Sequence, residues 1–189
     1  AWVEAAVRWI TSDAYDPRIM TGYPNGTFQP NLAITRAQFA RLLYREAGAP
    51  DVSGLPDHGL SDVPLWVEDA VRWAKANQIM TGYPDGTFGP NGSITRGQVV
   101  RAKYRFAGSQ DTAGHTPYSF TDVPAWLAEA VTWASHHTLV TGYGDNTFRD
   151  GDPITRGQVA RLDYRLALGG SPWADFRTAP HTMLFRPPA

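Results

Sequence analysis

The chain has 189 residues, 42% apolar and 19% charged, a balance that suits one folded domain or a few small repeated units. Lys plus Arg number 17 and Asp plus Glu 18, so the net charge is −1, which argues against a dedicated nucleic-acid binder; no apolar run of about 18 residues is present to span a membrane. Cysteine is absent, which excludes disulfides, thiolate zinc sites and cysteine nucleophiles together.

The chain opens with a predicted helix carrying Trp2 and Trp9. A turn-forming stretch with Thr21-Gly22-Tyr23 follows, and Ile34-Thr35-Arg36 begins a second helix. There Thr35 as N-cap and Gln38 three residues on form a capping box, with Ile34 and Phe39 placed as a hydrophobic staple. A linker rich in Gly, Pro, Ser and Asp covers 49–60.

The same unit then returns. Asp62-Val63-Pro64 leads into a helix predicted near Trp66–Asn77, on which Trp66, Ala70 and Trp73 form one stripe at i, i+4 and i+7. Thr81-Gly82-Tyr83 repeats Thr21-Gly22-Tyr23, with Pro84 and Asp85-Gly86 supplying turn chemistry, and Ile94-Thr95-Arg96 with Gln98 and Val99 repeats the box and staple. A second linker covers 109–119. The third copy carries Trp126, Trp133, Thr141-Gly142-Tyr143 and Ile154-Thr155-Arg156 with Gln158 and Val159.

The spacing between loops, and between second helices, is 60 residues both times; Trp2 and Trp9 sit 64 before their partners, so repeat one holds four extra residues within Thr11 to Arg18. The units are expected over 1–48, 61–108 and 120–168, with an extended, proline-containing tail at 169–189 that wraps its own bundle or docks into a partner. Each unit reads as helix, loop, helix, and two amphipathic helices make too little core to stand alone.

These motifs resemble the S-layer homology family, whose units usually occur in threes. The segment AVRWAKANQIMTGYPDGTFGPNGSITRGQVVRAKYR and its two siblings carry the resemblance, and Ile-Thr-Arg-Ala-Gln at 34–38 is similar to that family's TRAE motif. The resemblance implies a mostly α fold in which three helix-loop-helix repeats form a pseudo-threefold assembly around a central three-helix bundle, with grooves between lobes. It also implies non-covalent attachment to anionic cell-wall polysaccharide, often pyruvylated, at the bacterial surface. Three departures stand out. Gln replaces the motif's Glu at 38, 98 and 158; repeat one lacks the Asp-Val-Pro lead-in; and repeat three has Gly144-Asp145-Asn146 and Arg149-Asp150-Gly151-Asp152, so its loop is expected to be altered and its groove silent.

Arg36, Arg96 and Arg156 occupy the first helical position, where a cation opposes the helix dipole. A solvated surface arginine is one reading. The reading adopted, mostly on the resemblance, is an anion pocket of guanidinium and helix N–H groups, so that Arg→Ala is expected to cost affinity and leave stability unchanged or slightly improved. The candidate glycan-contact set joins these to Thr35, Thr95 and Thr155, to Gly22, Gly82 and Gly142, to Tyr23, Tyr83 and Tyr143, and to Trp9, Trp73 and Trp133. The tryptophans, with Trp2, Trp66 and Trp126, read first as core. Phe28, Phe88 and Phe148 are expected to pin the loops, and Arg41, Arg101, Arg161, Arg45, Arg105 and Arg165 to make helix-surface ion pairs.

No enzyme constellation is found. His136-His137 occurs once, at neighbouring helical positions that do not share a face, and reads as a solvated helix end. Asp145, Asp150 and Asp152 lack the calcium-loop spacing, and no Walker, HExxH or GxSxG motif is present. No catalytic residue, metal or cofactor is therefore expected, and the partner expected is a polysaccharide, with no nucleic acid and no membrane insertion. The rival reading is a structural assembly protein, for example a virion or surface-layer component. It would use the same fold for protein contacts, and a chain that starts almost inside its first helix leaves room for it.

Overall fold

The computed structural model describes residues 3–12 and 18–168. Trp2, most of the extra segment of repeat one and the tail fall outside the described residues. Among the described residues the fold is α-helical: α1 (Glu4–Ile10), α2 (Arg36–Glu46), α3 (Glu68–Ala76), α4 (Arg96–Phe106), α5 (Ala128–His136) and α6 (Arg156–Leu168). Short 3-10 turns at Leu65–Val67 and Ala125–Leu127 precede α3 and α5.

The second helix of each repeat starts where its cap dictates. Thr35 Oγ1 accepts the Gln38 N–H at 3.2 Å and Gln38 returns its Oε1 to the Thr35 N–H, also at 3.2 Å. The same reciprocal pair closes at Thr95/Gln98 and Thr155/Gln158. Gln thus does the capping work of the motif's Glu, and the staple residues Ile34, Phe39, Ile94, Val99, Ile154 and Val159 are all buried.

Ahead of these caps the three repeats are tied in a cycle. Ile34 N–H donates to Ile154 O, Ile94 N–H to Ile34 O and Ile154 N–H to Ile94 O, each at 3.1 Å. Isolated antiparallel bridges, Ala33–Thr155, Thr35–Ser93 and Thr95–Pro153, flank the same ring. The helices pack across repeats: α2 lies against α3, α4 against α5, and α6 returns to α1. The helix-loop-helix unit legible in sequence is therefore not the packing unit. Each seam packs a tryptophan of one repeat on a tyrosine of the preceding one, as Trp73 on Tyr44 (5.8 Å between ring centroids), Trp133 on Tyr104 (5.8 Å) and Trp9 on Tyr164 (6.0 Å).

The third loop keeps the backbone of the second. Tyr143 N–H donates to Thr147 O and Asn146 N–H to Tyr143 O, matching Tyr83/Thr87 and Gly86/Tyr83. Asn146 takes φ 65° where Gly86 takes 81°, a left-handed position that Asn tolerates, so the expected alteration does not reach the backbone of this loop. The Asp-Val-Pro lead-in has a visible purpose. Asp62 accepts the N–H groups of Phe88 and Gly89, and Asp122 those of Phe148 and Arg149, so each lead-in carboxylate pins its own loop. Those backbone bonds, led by Phe148, hold Asp122 below the ordinary carboxylate range.

Candidate functional site

The repeated arginines turn out to be clasps between repeats. Arg36 leaves the start of α2 and enters the loop of repeat two, where Nε donates to Phe88 O at 2.8 Å and Nη2 to Thr81 O at 3.0 Å. Arg96 does the same to Phe148 O and Thr141 O, and Arg156 to Phe28 O and Thr21 O. Each guanidinium also lies on the rings of its loop: Arg36 on Tyr83 and Phe88 at 4.6 and 4.8 Å, Arg96 on Tyr143 and Phe148, Arg156 on Tyr23 and Phe28. Arg36 and Arg156 are buried and Arg96 half-buried. Burial lowers the pKa of all three, against the pull of Tyr83 and Asp62 on Arg36, of Tyr143 on Arg96 and of Tyr23 on Arg156. Two of the donors expected to face an anion are thus spent on carbonyls, and removing the side chain is now expected to cost stability.

The other predicted contacts divide. Thr35, Thr95 and Thr155 commit their hydroxyl oxygens to the caps. Gly82 and Gly142 are glycines because a Cβ would strike Leu60 or Phe120 and come within 2.7–2.8 Å of the Thr87 or Thr147 carbonyl; at Gly22 the Thr27 carbonyl lies 3.0 Å away. Tyr83 and Tyr143 remain open, and Tyr23 is half-buried. Trp73 and Trp133 are buried in the seams, at 4% and 1% exposure, and offer no face to a ligand, while Trp9 is partly buried against α6. Phe88 and Phe148 are fully buried, as expected of loop pins.

A groove of about 250 Å³ runs beside the repeat-two loop. Its wall is the Met80–Tyr83 segment of that loop and the face of α4 that carries Gln98, Arg101 and Arg105; Arg36 reaches it from repeat one and Trp126 from repeat three. Among the described residues, three arginines and no carboxylate line it. Arg101 lies over the Trp126 ring at 5.1 Å, and burial together with the Arg101 charge lowers the pKa of Arg105. Among the described residues Arg101 and Arg105 meet no carboxylate, Arg45 donates to Arg18 O and Arg165 to Thr138 O, so these four do not form the expected surface ion pairs there. At the next seam Arg41 over Trp66, at 5.7 Å, repeats the Arg101–Trp126 arrangement.

Trp66 and Trp126 were expected in the core, yet each is 49% exposed. The cause is the 3-10 turn: Val67 N–H closes on Pro64 O and Leu127 N–H on Pro124 O, and the helix restarts at 68 and 128. A tighter turn rotates the tryptophan off the stripe that Ala70 and Trp73 follow. The Pro-X-Trp sequence was the signal that could have found it.

In repeat three the Arg149 guanidinium stacks on Tyr143 at 4.0 Å, held by Asp145 at 2.7 Å and Thr147 at 3.0 Å. The corresponding positions are Gln29 and Gly89. His136 and His137 do not form a merely solvated helix end: His115 of the second linker stacks on His136 at 4.0 Å and meets His137 edge-on at 5.7 Å. No group among the described residues is arranged to hold a metal ion, and no helix there is long and apolar enough to cross a membrane.

Comparison with known proteins agrees with this geometry. The family model for the S-layer homology domain matches residues 13–40, 61–100 and 119–160. The chain is 29% identical over 159 residues to a cellulosome-anchoring protein of Acetivibrio thermocellus, covering 79% of this chain and 36% of the relative. It is 30% identical over 165 residues to cell surface glycoprotein 1 of the same organism (79% of this chain, 7% of the relative). It is also 30% identical over 157 residues to an endoglucanase of Bacillus sp. (79% of this chain, 16% of the relative). All three are longer proteins of which this chain matches a part. Since the three family matches fall on the three loops that the arginine clasps join, the chain belongs to the S-layer homology domain family.

Proposed function

We propose that this module attaches its protein to the bacterial cell wall by binding anionic, pyruvylated polysaccharide in the grooves between repeats. The observation that carries the reading is the groove of Arg36, Arg101 and Arg105, flanked by the open rings of Tyr83 and Trp126 and lined by no carboxylate. Guanidiniums suit bidentate pairing with a sugar carboxylate, and exposed aromatic faces suit the apolar faces of sugar rings. Arg36 shapes the groove, and Arg101 and Arg105 supply the unpaired charge. The three relatives carry names of anchoring, of the cell surface and of an enzyme, which fits an attachment module joined to varied partners. Its own work is attachment and not catalysis, at the outer surface of the cell.

The test is calorimetric titration with cell-wall polysaccharide, native and stripped of pyruvate. Charge-assisted hydrogen bonds contribute about 1.5–3 kcal/mol, so Arg101→Ala with Arg105→Ala should weaken binding tenfold or more while melting is unchanged. Equal binding by parent and double variant, or equal binding to native and stripped glycan, would overturn the reading.

A further inference from the structure

The two linkers fold alike but are fastened by different chemistry. Leu55 N–H donates to Val52 O and His115 N–H to Thr112 O, both at 3.0 Å, while Tyr44 and Tyr104 donate their hydroxyls to Pro50 O and Gln110 O. Polar bonds tie the first linker to α3: Lys75 Nζ donates to His58 O, and His58 Nε2 meets Glu68 Oε2 at 2.9 Å. Repeat three carries Ser135, Tyr118 and Ala128 at those three positions, and the buried Ser135 Oγ finds no partner among the described residues. It has histidines instead, His115, His136 and His137, where repeat two has Leu55, Ala76 and Asn77.

These three rings fasten the second linker to the end of α5. His115 stacks on His136 within 2° of parallel, at 4.0 Å between centroids, and meets His137 edge-on at 5.7 Å. His136 and His137 meet edge-on at 5.1 Å, and Trp133 meets His137 at 5.7 Å. Neutral rings pack well in this way, but two charged ones face to face at this distance repel. His115 Nδ1 and His137 Nε2 are buried with no hydrogen-bond partner among the described residues. A neutral imidazole can leave such a nitrogen as a bare lone pair, whereas an imidazolium puts there an N–H that needs an acceptor. We propose that His115, His136 and His137 form an acid-released latch, which holds the second linker on α5 while the rings are neutral and frees it when they are protonated.

Burial first, and then the charges of His136 and His115, lower the pKa of His137. The other charged groups around the latch act elsewhere. Asp111 of the linker and Glu129 of α5 act on Tyr104, and on α4 Lys103 pairs with Glu46 and Asp163 while Arg101 acts on Arg105. Asp122 binds the N–H groups of Phe148 and Arg149. On α6, Arg165 donates to Thr138 O and Leu139 O, which adds a cation, not an anion, beside the rings. The carbonyl end of α5 favours one imidazolium, and the stack opposes a second.

The sign follows from the lowered imidazole. The unfolded chain takes up protons near the ordinary value of about 6.5, and the folded cluster resists them. The latch is complete above that value and is lost as pH falls through the lower folded one.

The intact chain would be unfolded with urea between pH 8 and pH 5, as parent and as a variant carrying the repeat-two residues, His115→Leu with His136→Ala and His137→Asn. The ratio of unfolding constants, parent over variant, should rise below about pH 6.5 by up to tenfold per pH unit for each resisted proton. His58 and His181 are common to both proteins and cancel. Amide hydrogen exchange of the parent gives a reading that needs no variant. Corrected for the chemical rate, residues 110–118 should exchange about tenfold faster at pH 5 than at pH 7, and His115→Leu alone should remove that change. Parallel pH profiles for parent and variant, equal corrected exchange at both pH values, or the same acceleration in His115→Leu would overturn the proposal.

Discussion

Replacing Arg36 with alanine tests whether the repeated arginine is a clasp. The side chain makes two charge-assisted bonds, to Phe88 O at 2.8 Å and Thr81 O at 3.0 Å, and rests on two rings. Thr81 is exposed, so its carbonyl can take a water in place of the guanidinium; Phe88 is buried, so its carbonyl is left unmet. An unsatisfied buried acceptor costs about 1–3 kcal/mol, and each lost ring contact about 0.5–1 kcal/mol. Relief of the unfavourable helix-dipole position returns about 0.3–1 kcal/mol. The net expectation is a loss of about 1–5 kcal/mol in urea unfolding at constant slope. Arg36→Lys should lie between, since an ammonium keeps the charge over the rings but cannot span both carbonyls. An Arg36→Ala protein within about 0.5 kcal/mol of the parent, the range of an ordinary surface change, would refute the clasp.

Thr95→Ala should cost about 0.5–2 kcal/mol by urea melting, with Thr35→Ala and Thr155→Ala alike, because all three caps are closed. A fragment of residues 61–108 should show no cooperative thermal transition by circular dichroism, since α3 packs on α2 and α4 on α5, both outside it. Gly157→Ala should lose about 1–3 kcal/mol by overpacking, because its Cβ would stand 2.9 Å from Pro30 O, whereas the equivalent position of repeat one already holds Ala37.

Much of this was legible in the sequence because it was local or repeated. The capping boxes needed only Thr and Gln three apart, and the loops only their turn residues. What could not be read was which copy each motif answers to. Arg36 clasps a loop 45–52 residues away, and nothing in the spacing says that the carbonyls it needs belong to repeat two. The tryptophan stripe misled for a different reason, since a single 3-10 turn after Pro64 is enough to turn Trp66 outward while Trp73 stays in. The buried ion pairs of Lys103 with Glu46 and Asp163 were hidden because these residues stand at positions that break the repeat, where comparison of copies shows only disagreement.

The seams of the ring are alike in chemistry but not in history. Two of them join arginine and loop across 45 and 52 residues, while the third joins Arg156 to Thr21 and Phe28 across 135 and 128. Closing the longer loop adds only about 0.8 kcal/mol of chain entropy, so the finished ring is scarcely weaker there. In time the difference is larger, because distant contacts form last. Until then α1 and α6 are complementary faces separated by the repeats between them, and another molecule's α6 fits α1 as well as its own does. A contact of that kind repeats without end unless it bends back on itself, so this last seam separates a finite monomer from a head-to-tail filament.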